Sequence, residues 1–375
     1  MSETRPLGLY IHIPFCRSKC FYCDFYSLPR SENRMDGYCE ALRAALRAAA
    51  PDASGRTVDT IYFGGGTPSL LGPVRLMGLL EAVFELFAVS PGAEITLEAN
   101  PESAGDPQPL RLLRRAGFNR ISLGMQSADD EELRAVGRVH SRQDTEKAVA
   151  AARTAGFSEL SLDLIYGLPG QSRESWRGSL AAAVSLMPEH LSCYGLKVEP
   201  GTPLHTRRAE ISLPDDDTQA DMYLDAAAFL EQEGYKQYEI SNFALPGHPS
   251  RHNRKYWTLG EYLGFGPGAH SDFRGRRFAV ARDLDAFLRG ERLLSEDAAI
   301  SPRERVSERV MLGLRTAEGI DLSALPVPFA GAETLLSELA AHGLARFEGN
   351  RWHLTPRGFL VSNEVIVRVL DALGI

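Results

Sequence analysis

The stretch Leu7-Gly-Leu-Tyr10-Ile-His12-Ile-Pro-Phe-Cys16-Arg-Ser-Lys-Cys20-Phe-Tyr22-Cys23 decides how the rest of the chain is read. A short apolar run, Leu7–Ile13, feeds a loop with three cysteines in C-x3-C-x2-C spacing and no fourth close behind. Ordinary electron-transfer clusters take four cysteine ligands. Thiolates at Cys16, Cys20 and Cys23 would hold three irons of a [4Fe-4S] cluster and leave the fourth iron without a protein ligand. An open metal position is where a substrate or cofactor binds, as catalytic zinc sites illustrate. The amine and carboxylate of an amino-acid headgroup, such as that of S-adenosyl-L-methionine, suit such a position. Both groups serve radical chemistry. Phe15, Phe21, Tyr22 and Phe25 interleave the cysteines and would keep water from a cluster.

The rival occupant of this loop is a single zinc ion completed by His12 or Asp24. A disulfide framework does not fit five cysteines in 375 residues. The length suggests two or three domains. The chain carries 41 basic and 49 acidic residues, a net charge of −8, with the excess spread out. That speaks for solubility, and no basic run points to nucleic acid. No apolar stretch approaches the roughly 18–20 residues needed to span a bilayer. Residues 1–6 lack the apolar centre of a secretory signal. The expectation is a cytoplasmic protein without an integral membrane segment; peripheral membrane association and a homodimer stay open.

Apolar runs at 7–13, 60–63, 94–98, 120–123, 160–165 and 191–196 read as buried strands. Helical patterns at 36–48, 74–87, 109–116, 142–155 and 175–186 separate them. This alternation implies an α/β fold with a parallel sheet and helical crossovers. Periodicity does not choose between a partial barrel and a doubly wound sheet. In both, the residues just after each strand gather at one end, where ligands bind. After residue 205 the pattern changes. A long helix is expected over 215–233, a strand over 235–240, and a loop-rich stretch over 242–278. From residue 301, helices at 304–314 and 333–342 precede a hairpin around Glu348-Gly-Asn350. The expected division is 1–205, 206–300 and 301–375. The tail resembles a winged helix, yet residues 301–375 hold 8 basic and 9 acidic residues. It lacks the positive footprint that DNA requires, so a structural or protein-contact role is expected.

Gly64-Gly65-Gly66-Thr67-Pro68-Ser69 follows the second strand and would let backbone amides approach a ligand. It lacks the Gly-Lys-Ser/Thr of a phosphate loop; a plain tight turn is its other reading. Glu98-Ala-Asn-Pro101 ends the third strand, Gln126 and Ser127 follow the fourth, and Asp163 lies in the fifth. A carboxylate inside an apolar strand costs several kcal/mol unless paired or ligand-bound. Structural ion pairs with Arg120 or Arg138 compete with a role toward a ligand amine or ribose. Arg251-His252-Asn-Arg-Lys-Tyr-Trp257 and Tyr262-Leu-Gly-Phe-Gly-Pro-Gly-Ala-His270 put two histidines among aromatics. They could flank a flat apolar ligand, and histidine is a common axial ligand to heme iron. Cys39 and Cys193 read as buried small hydrophobes.

Taken in order, these motifs resemble radical S-adenosylmethionine proteins of the oxygen-independent coproporphyrinogen III oxidase class. Within it the chain is most similar to the HemW-type heme chaperones. The segments run from residue 7 to about 275: the cysteine loop, Gly-Gly-Gly-Thr-Pro-Ser, Leu-Glu-Ala-Asn-Pro, Ser-Leu-Gly-Met-Gln-Ser, Asp-Leu-Ile-Tyr-Gly-Leu-Pro-Gly-Gln and His-Asn-x2-Tyr-Trp. The resemblance implies a partial (β/α)6 TIM-like barrel, a small α+β segment and a winged-helix-like C-terminal domain. It assigns Cys16, Cys20 and Cys23 to the cluster. It places Tyr10, Gly65 and Glu98 against S-adenosyl-L-methionine. Tyr22, Gly66, Thr67, Gln126, Arg138 and Asp163 match positions around that cofactor or a second molecule of it. Two departures separate the chain from the oxidases: Phe25 stands where they have a further cysteine, and the cluster loop begins at residue 16, without their N-terminal arm. The leading expectation is therefore a chaperone that binds heme, with His252 as one candidate ligand, and delivers it to respiratory hemoproteins. His270 and a cysteine outside the loop are the other candidates. The alternative is coproporphyrinogen III oxidase activity yielding protoporphyrinogen IX. A zinc-binding interaction protein is the third reading. Whether the chain is an enzyme stays open.

Overall fold

The structure, a computed structural model, describes residues 6–375. Residues 1–5, most of the segment read above for a secretory signal, lie outside the described residues. Six strands carry the fold: β1 (Leu7–Ile13), β2 (Thr57–Gly65), β3 (Ala88–Ala99), β4 (Arg120–Gln126), β5 (Glu159–Tyr166) and β6 (His190–Gly195). Helices α1 (Met35–Ala49), α2 (Gly72–Leu86), α3 (Pro107–Ala116), α4 (Arg142–Ala155) and α5 (Arg173–Ser185) return the chain between them. Ser141 with Asp144, and Ser172 with Ser175, form reciprocal caps that start α4 and α5 at defined residues.

The six strands lie side by side in chain order, each pair parallel. A doubly wound sheet reverses its order at a switch point; unbroken order is the single winding that curls into a barrel. Pairing order thus supplies what periodicity did not. Among the described residues β1 and β6 do not pair, so the barrel is partial. Further strands cover both open edges: β7 (Lys236–Gln237), β8 (Asn242–Ala244), β9 (Tyr262–Phe265), β10 (His270–Phe273), β11 (Arg276–Val280) and β12 (Leu294–Ala299). β9 pairs parallel with β1, and β8 antiparallel with β6. One 12-stranded sheet results, in the order β12-β11-β10-β9-β1-β2-β3-β4-β5-β6-β8-β7.

The strands alternate sharply. Leu7, Leu9, Ile11 and Ile13 of β1 are buried with Leu160, Leu162 and Leu164 of β5, in one core with the helices. Side chains alternate across a strand, so Gly8, Tyr10 and His12, and likewise Ser161 and Asp163, face the other way. A closed TIM barrel fills its interior with branched apolar side chains. Here the inward positions are polar or lack a side chain. Tyr194 of β6, which is 41% exposed, shares that face.

The stretch read as loop-rich, 242–278, contains β8, β9, β10 and helix α7 (Arg251–Trp257). The strand expected over 235–240 shrinks to Lys236–Gln237. These short edge strands are fixed by backbone pairing to the barrel and need no apolar run of their own. Helix α6 (Asp216–Gln232) leads to the tail. The tail comprises α8 (Pro302–Gly313), α9 (Ala330–Ala341), the hairpin β13 (Ala345–Glu348) and β14 (Arg351–Leu354), and α10 (Ser362–Leu373). Ile320 adds one antiparallel bridge to Trp352 at the edge of this hairpin. Val310, Leu336, Trp352 and Val369 form its core, joined by Tyr223 of α6. Helix α10 escaped the sequence reading because Val365, Ile366, Val367 and Val369 are β-branched and favour strands. Among the described residues no helix is long and apolar enough to cross a membrane.

Candidate functional site

The cysteine loop is pinched at its base, where Phe15–Cys16 pairs with Leu28–Pro29. The loop after β2 is fastened to it: the Gly66 N–H donates to Ile13 O (2.8 Å) and the Thr67 N–H to Phe15 O (2.7 Å). A Cβ on Gly66 would lie 2.6 Å from Phe15 O, so only glycine allows this approach. Thr67 then reaches the first thiol, donating its hydroxyl to Cys16 Sγ at 3.6 Å.

A chain of hydrogen bonds continues from there. Asn100, past the end of β3, donates to Thr67 Oγ1 (3.0 Å). Arg138 donates to Asn100 Oδ1 (3.0 Å), to Gly124 O (2.6 Å) and to Cys20 Sγ (3.5 Å). Gly124 makes room for it: a Cβ there would lie 2.7 Å from both Arg138 Nη2 and Gln126 Nε2. Tyr22 stands beside Arg138, Cys20 and Cys23. Two of the three thiols therefore already face side-chain donors. Such donors stabilise thiolate charge and tune a cluster.

Behind the thiols stand two carboxylates. Glu98 accepts from the Tyr62 hydroxyl (2.6 Å) and the Gly65 N–H (3.1 Å). Burial, with Asp163 nearby, pushes its pKa up to about 7, against the pull of those two donors. Asp163 accepts from Ser122 (3.0 Å) and Ser192, and burial raises its pKa as well. Burial also raises Cys16 and Cys23. Tyr10 stacks on Tyr62 and bonds His12 Nδ1 at 3.0 Å. His12 Nε2 meets Tyr26 O at 2.8 Å. Both ring nitrogens of His12 are thus engaged away from the thiols, which removes it as the fourth ligand of a zinc site.

His252 sits on α7 against Thr60, Tyr62 and Tyr10. Its ring is fully buried, stacks on Tyr62 at 5.2 Å, and bonds Thr60 through Nδ1 (2.9 Å) and the Tyr256 hydroxyl through Nε2 (2.8 Å). Burial, aided by Lys255, lowers its pKa to about 3. Glu94 accepts the N–H groups of Arg251 and His252 (3.0 and 2.8 Å) and fixes the start of α7 against the barrel. Lys255 ties the same helix to Pro6 O and Asp59. In this structure both ring nitrogens are engaged and the side chain is enclosed. His270 is exposed on β10.

The structure brings Tyr10, Tyr22, Gly65, Gly66, Thr67, Glu98, Gln126, Arg138 and Asp163 around one end of the barrel with the three cysteines, and His252 stacks on Tyr10 from α7 with ring centres 6.5 Å apart. Asn100, Tyr62 and Ser122 belong to the same network and were not singled out in the sequence, while His12 was read only as a possible zinc ligand. Tyr62 had a signal, since it pairs in register with Tyr10. Among the described residues no three His, Cys, Asp or Glu side chains stand close enough to share one metal ion. The donor set fits a multi-iron cluster: partly exposed free thiols, N–H and O–H donors aimed at two sulfurs, and a buried carboxylate poised for a cation.

Comparison with known proteins agrees with this geometry. Residues 10–183 match the radical SAM superfamily, and residues 300–361 the HemN C-terminal domain. The chain is 39% identical to the heme chaperone HemW of Mycobacterium tuberculosis, over 98% of this chain and 95% of that one. It is 38% identical to heme chaperone HemW of Escherichia coli, over 98% of each. It is 34% identical to the mitochondrial radical S-adenosyl methionine domain-containing protein 1 of Bos taurus, over 98% of this chain and 88% of that one. Among solved structures it is similar to coproporphyrinogen III oxidase (HemN) from Escherichia coli, a radical SAM enzyme. That match has a TM-score of 0.84 and 28% identity, and covers 97% of this chain and 90% of that one. Similarity at this level along nearly the whole chain, on a barrel whose mouth carries the three-cysteine loop, shows that the chain belongs to the HemW family within the radical SAM superfamily.

Proposed function

We propose that this chain is a heme chaperone: it carries a [4Fe-4S] cluster on Cys16, Cys20 and Cys23, binds S-adenosyl-L-methionine beside it, binds heme, and delivers that heme to a respiratory hemoprotein. The observation that carries this reading is the 34–39% identity, over 97–98% of the chain, to proteins named heme chaperone HemW. Phe25, 66% exposed at the end of the cysteine loop, supports it, since the oxidases are expected to place a cysteine there.

When bound, the cluster supplies one-electron chemistry to adenosylmethionine. The chain's own residues hold and orient. Thr67 and Arg138 direct hydrogen bonds at two of the sulfurs. Glu98 receives the cofactor's amine, whose positive charge returns the carboxyl to its ionised form. Tyr10, Gly65 and Gly66 shape the wall, while Tyr22, Gln126 and Asp163 line the space beside it. The aromatic shell around the loop limits water. The working division is 1–205 for the barrel, 206–300 for its extension and 301–375 for the tail. A cytoplasmic location, peripheral contact with a membrane and a homodimer complete the proposal.

A heme titration of the anaerobically reconstituted protein tests it. A shifted Soret band and transfer to an apo-hemoprotein are expected; the absence of both would sink the chaperone reading. Anaerobic incubation with coproporphyrinogen III is the companion experiment, and a vinyl product there would move the assignment to the oxidase.

A further inference from the structure

A cavity of about 610 Å³ lies between the end of α7 and the tail. That is well within the size of small-molecule sites. Its apolar wall comes from Trp257 and Leu259 on one side and Ile320 and Ala324 on the other. Charged side chains also reach it, and most are already paired. Glu261 holds Arg56 at 2.6 Å. Asp272 is bonded to Arg277 and, through both oxygens, to Arg305. Glu318 pairs with Arg254. Asp321 accepts from the N–H and hydroxyl of Ser323.

Two guanidiniums remain. Arg309 is exposed and has no hydrogen bond or ion pair among the described residues. Arg351 donates to the carbonyls of Glu318 and Gly319 (2.6 and 2.7 Å) and, among the described residues, makes no ion pair, though, after the Ser323 hydroxyl, its charge helps keep Asp321 ionised. The lining therefore offers an indole, an aliphatic wall and two arginines with spare donors. No His, Cys, Met or Tyr is among the described residues that line it. A planar apolar ring with two carboxylates on one edge matches that set: aromatic contact on its face and charge-assisted bonds at its edge.

We propose that this cavity holds the tetrapyrrole, with its ring against Trp257 and its propionates at Arg309 and Arg351, and without a protein ligand to the iron. The proposal rests on the heme-chaperone reading and deepens it by naming the site and the mode of recognition. A cargo held by its edge and face leaves without breaking a metal–protein bond.

The test is a titration of the full, cluster-loaded chain with hemin and, separately, with metal-free protoporphyrin IX, followed by tryptophan fluorescence and visible absorption. The two ligands are expected to bind within about threefold of each other. Arg309→Glu, which removes no bond of the fold, is expected to weaken both by about tenfold. Trp257→Ala is expected to weaken both as well, with iron and sulfide content unchanged. Two results overturn the site: protoporphyrin binding far more weakly than hemin, or both affinities unmoved in Arg309→Glu combined with Arg351→Ala. In either case hemin still binds the wild-type chain and the chaperone reading stands. Wild-type protein that binds no hemin overturns both.

Discussion

The mouth of the barrel and the cavity beside the tail handle polar groups in opposite ways. At the mouth donors and acceptors are joined in a chain: Thr67 meets Cys16, Asn100 meets Thr67, Arg138 meets Asn100 and Cys20, and Tyr62 meets Glu98. Beside the tail, Glu261, Asp272 and Glu318 are paired with guanidiniums, Asp321 is held by Ser323, and Arg309 has no partner among the described residues. The first arrangement fixes geometry before any ligand arrives, which suits a resident cofactor. The second stores unneutralised positive charge on a side chain with freedom to move, which suits an anionic guest that comes and goes.

The sharpest way to break this comparison is Cys16→Ala. Loss of one of three ligands is expected to bring iron and sulfide in anaerobically reconstituted protein down to background. The protoporphyrin titration should not move. A joint loss of porphyrin affinity, seen by fluorescence, would mean that the two regions act as one.

The next effect is a pH dependence confined to the mouth. Glu98 has a pKa of about 7 in the fold against an ordinary value of 4.5. The folded chain thus keeps a proton that the unfolded chain releases between those values. The associated stability is full below pH 4.5 and is lost as pH rises through 7, about 3 kcal/mol in all. Denaturant unfolding of the cofactor-free protein from pH 5 to 8 should show this slope in wild type and a flatter one in Glu98→Gln. Parallel slopes would remove Glu98 as the titrating group. Because adenosylmethionine brings an ammonium, its affinity is expected to rise over the same interval in wild type only.

Arg138→Met gives the smallest expected effect. It leaves Asn100 Oδ1 and Gly124 O without their donor and takes a hydrogen bond from Cys20. A loss of about 2 kcal/mol in denaturant unfolding is expected, with faster release of iron to a chelator. Unchanged release would show that the guanidinium braces the strand ends and does not steady the sulfurs.

Much of the mouth was legible in the sequence because its parts are contiguous. The cysteine spacing, the glycine loop and Glu98 each announce themselves within a few residues. Arg138 drew notice as a possible structural partner, but its bond to Cys20 spans 118 positions and only the folded chain reveals it. Asn100 was quoted inside a motif and passed over, since nothing local marks an amide that bridges a hydroxyl and a guanidinium. The barrel was half legible: strands and helices could be read, while the choice of winding depended on which strand lies beside which. The surroundings of His252 were not legible, for a geometric reason. It shares a run with Tyr256 and Trp257, yet one helical turn brings His252 and Tyr256 together against the barrel, while Trp257 lines the cavity. The cavity was invisible, since its walls come from residues as far apart as Trp257 and Arg351.

Helix α7 is pinned by Glu94, Thr60, Pro6 and Asp59 beneath the first strands. One short helix thus fastens three neighbouring barrel strands through four separate contacts, and loosening it would loosen all three together.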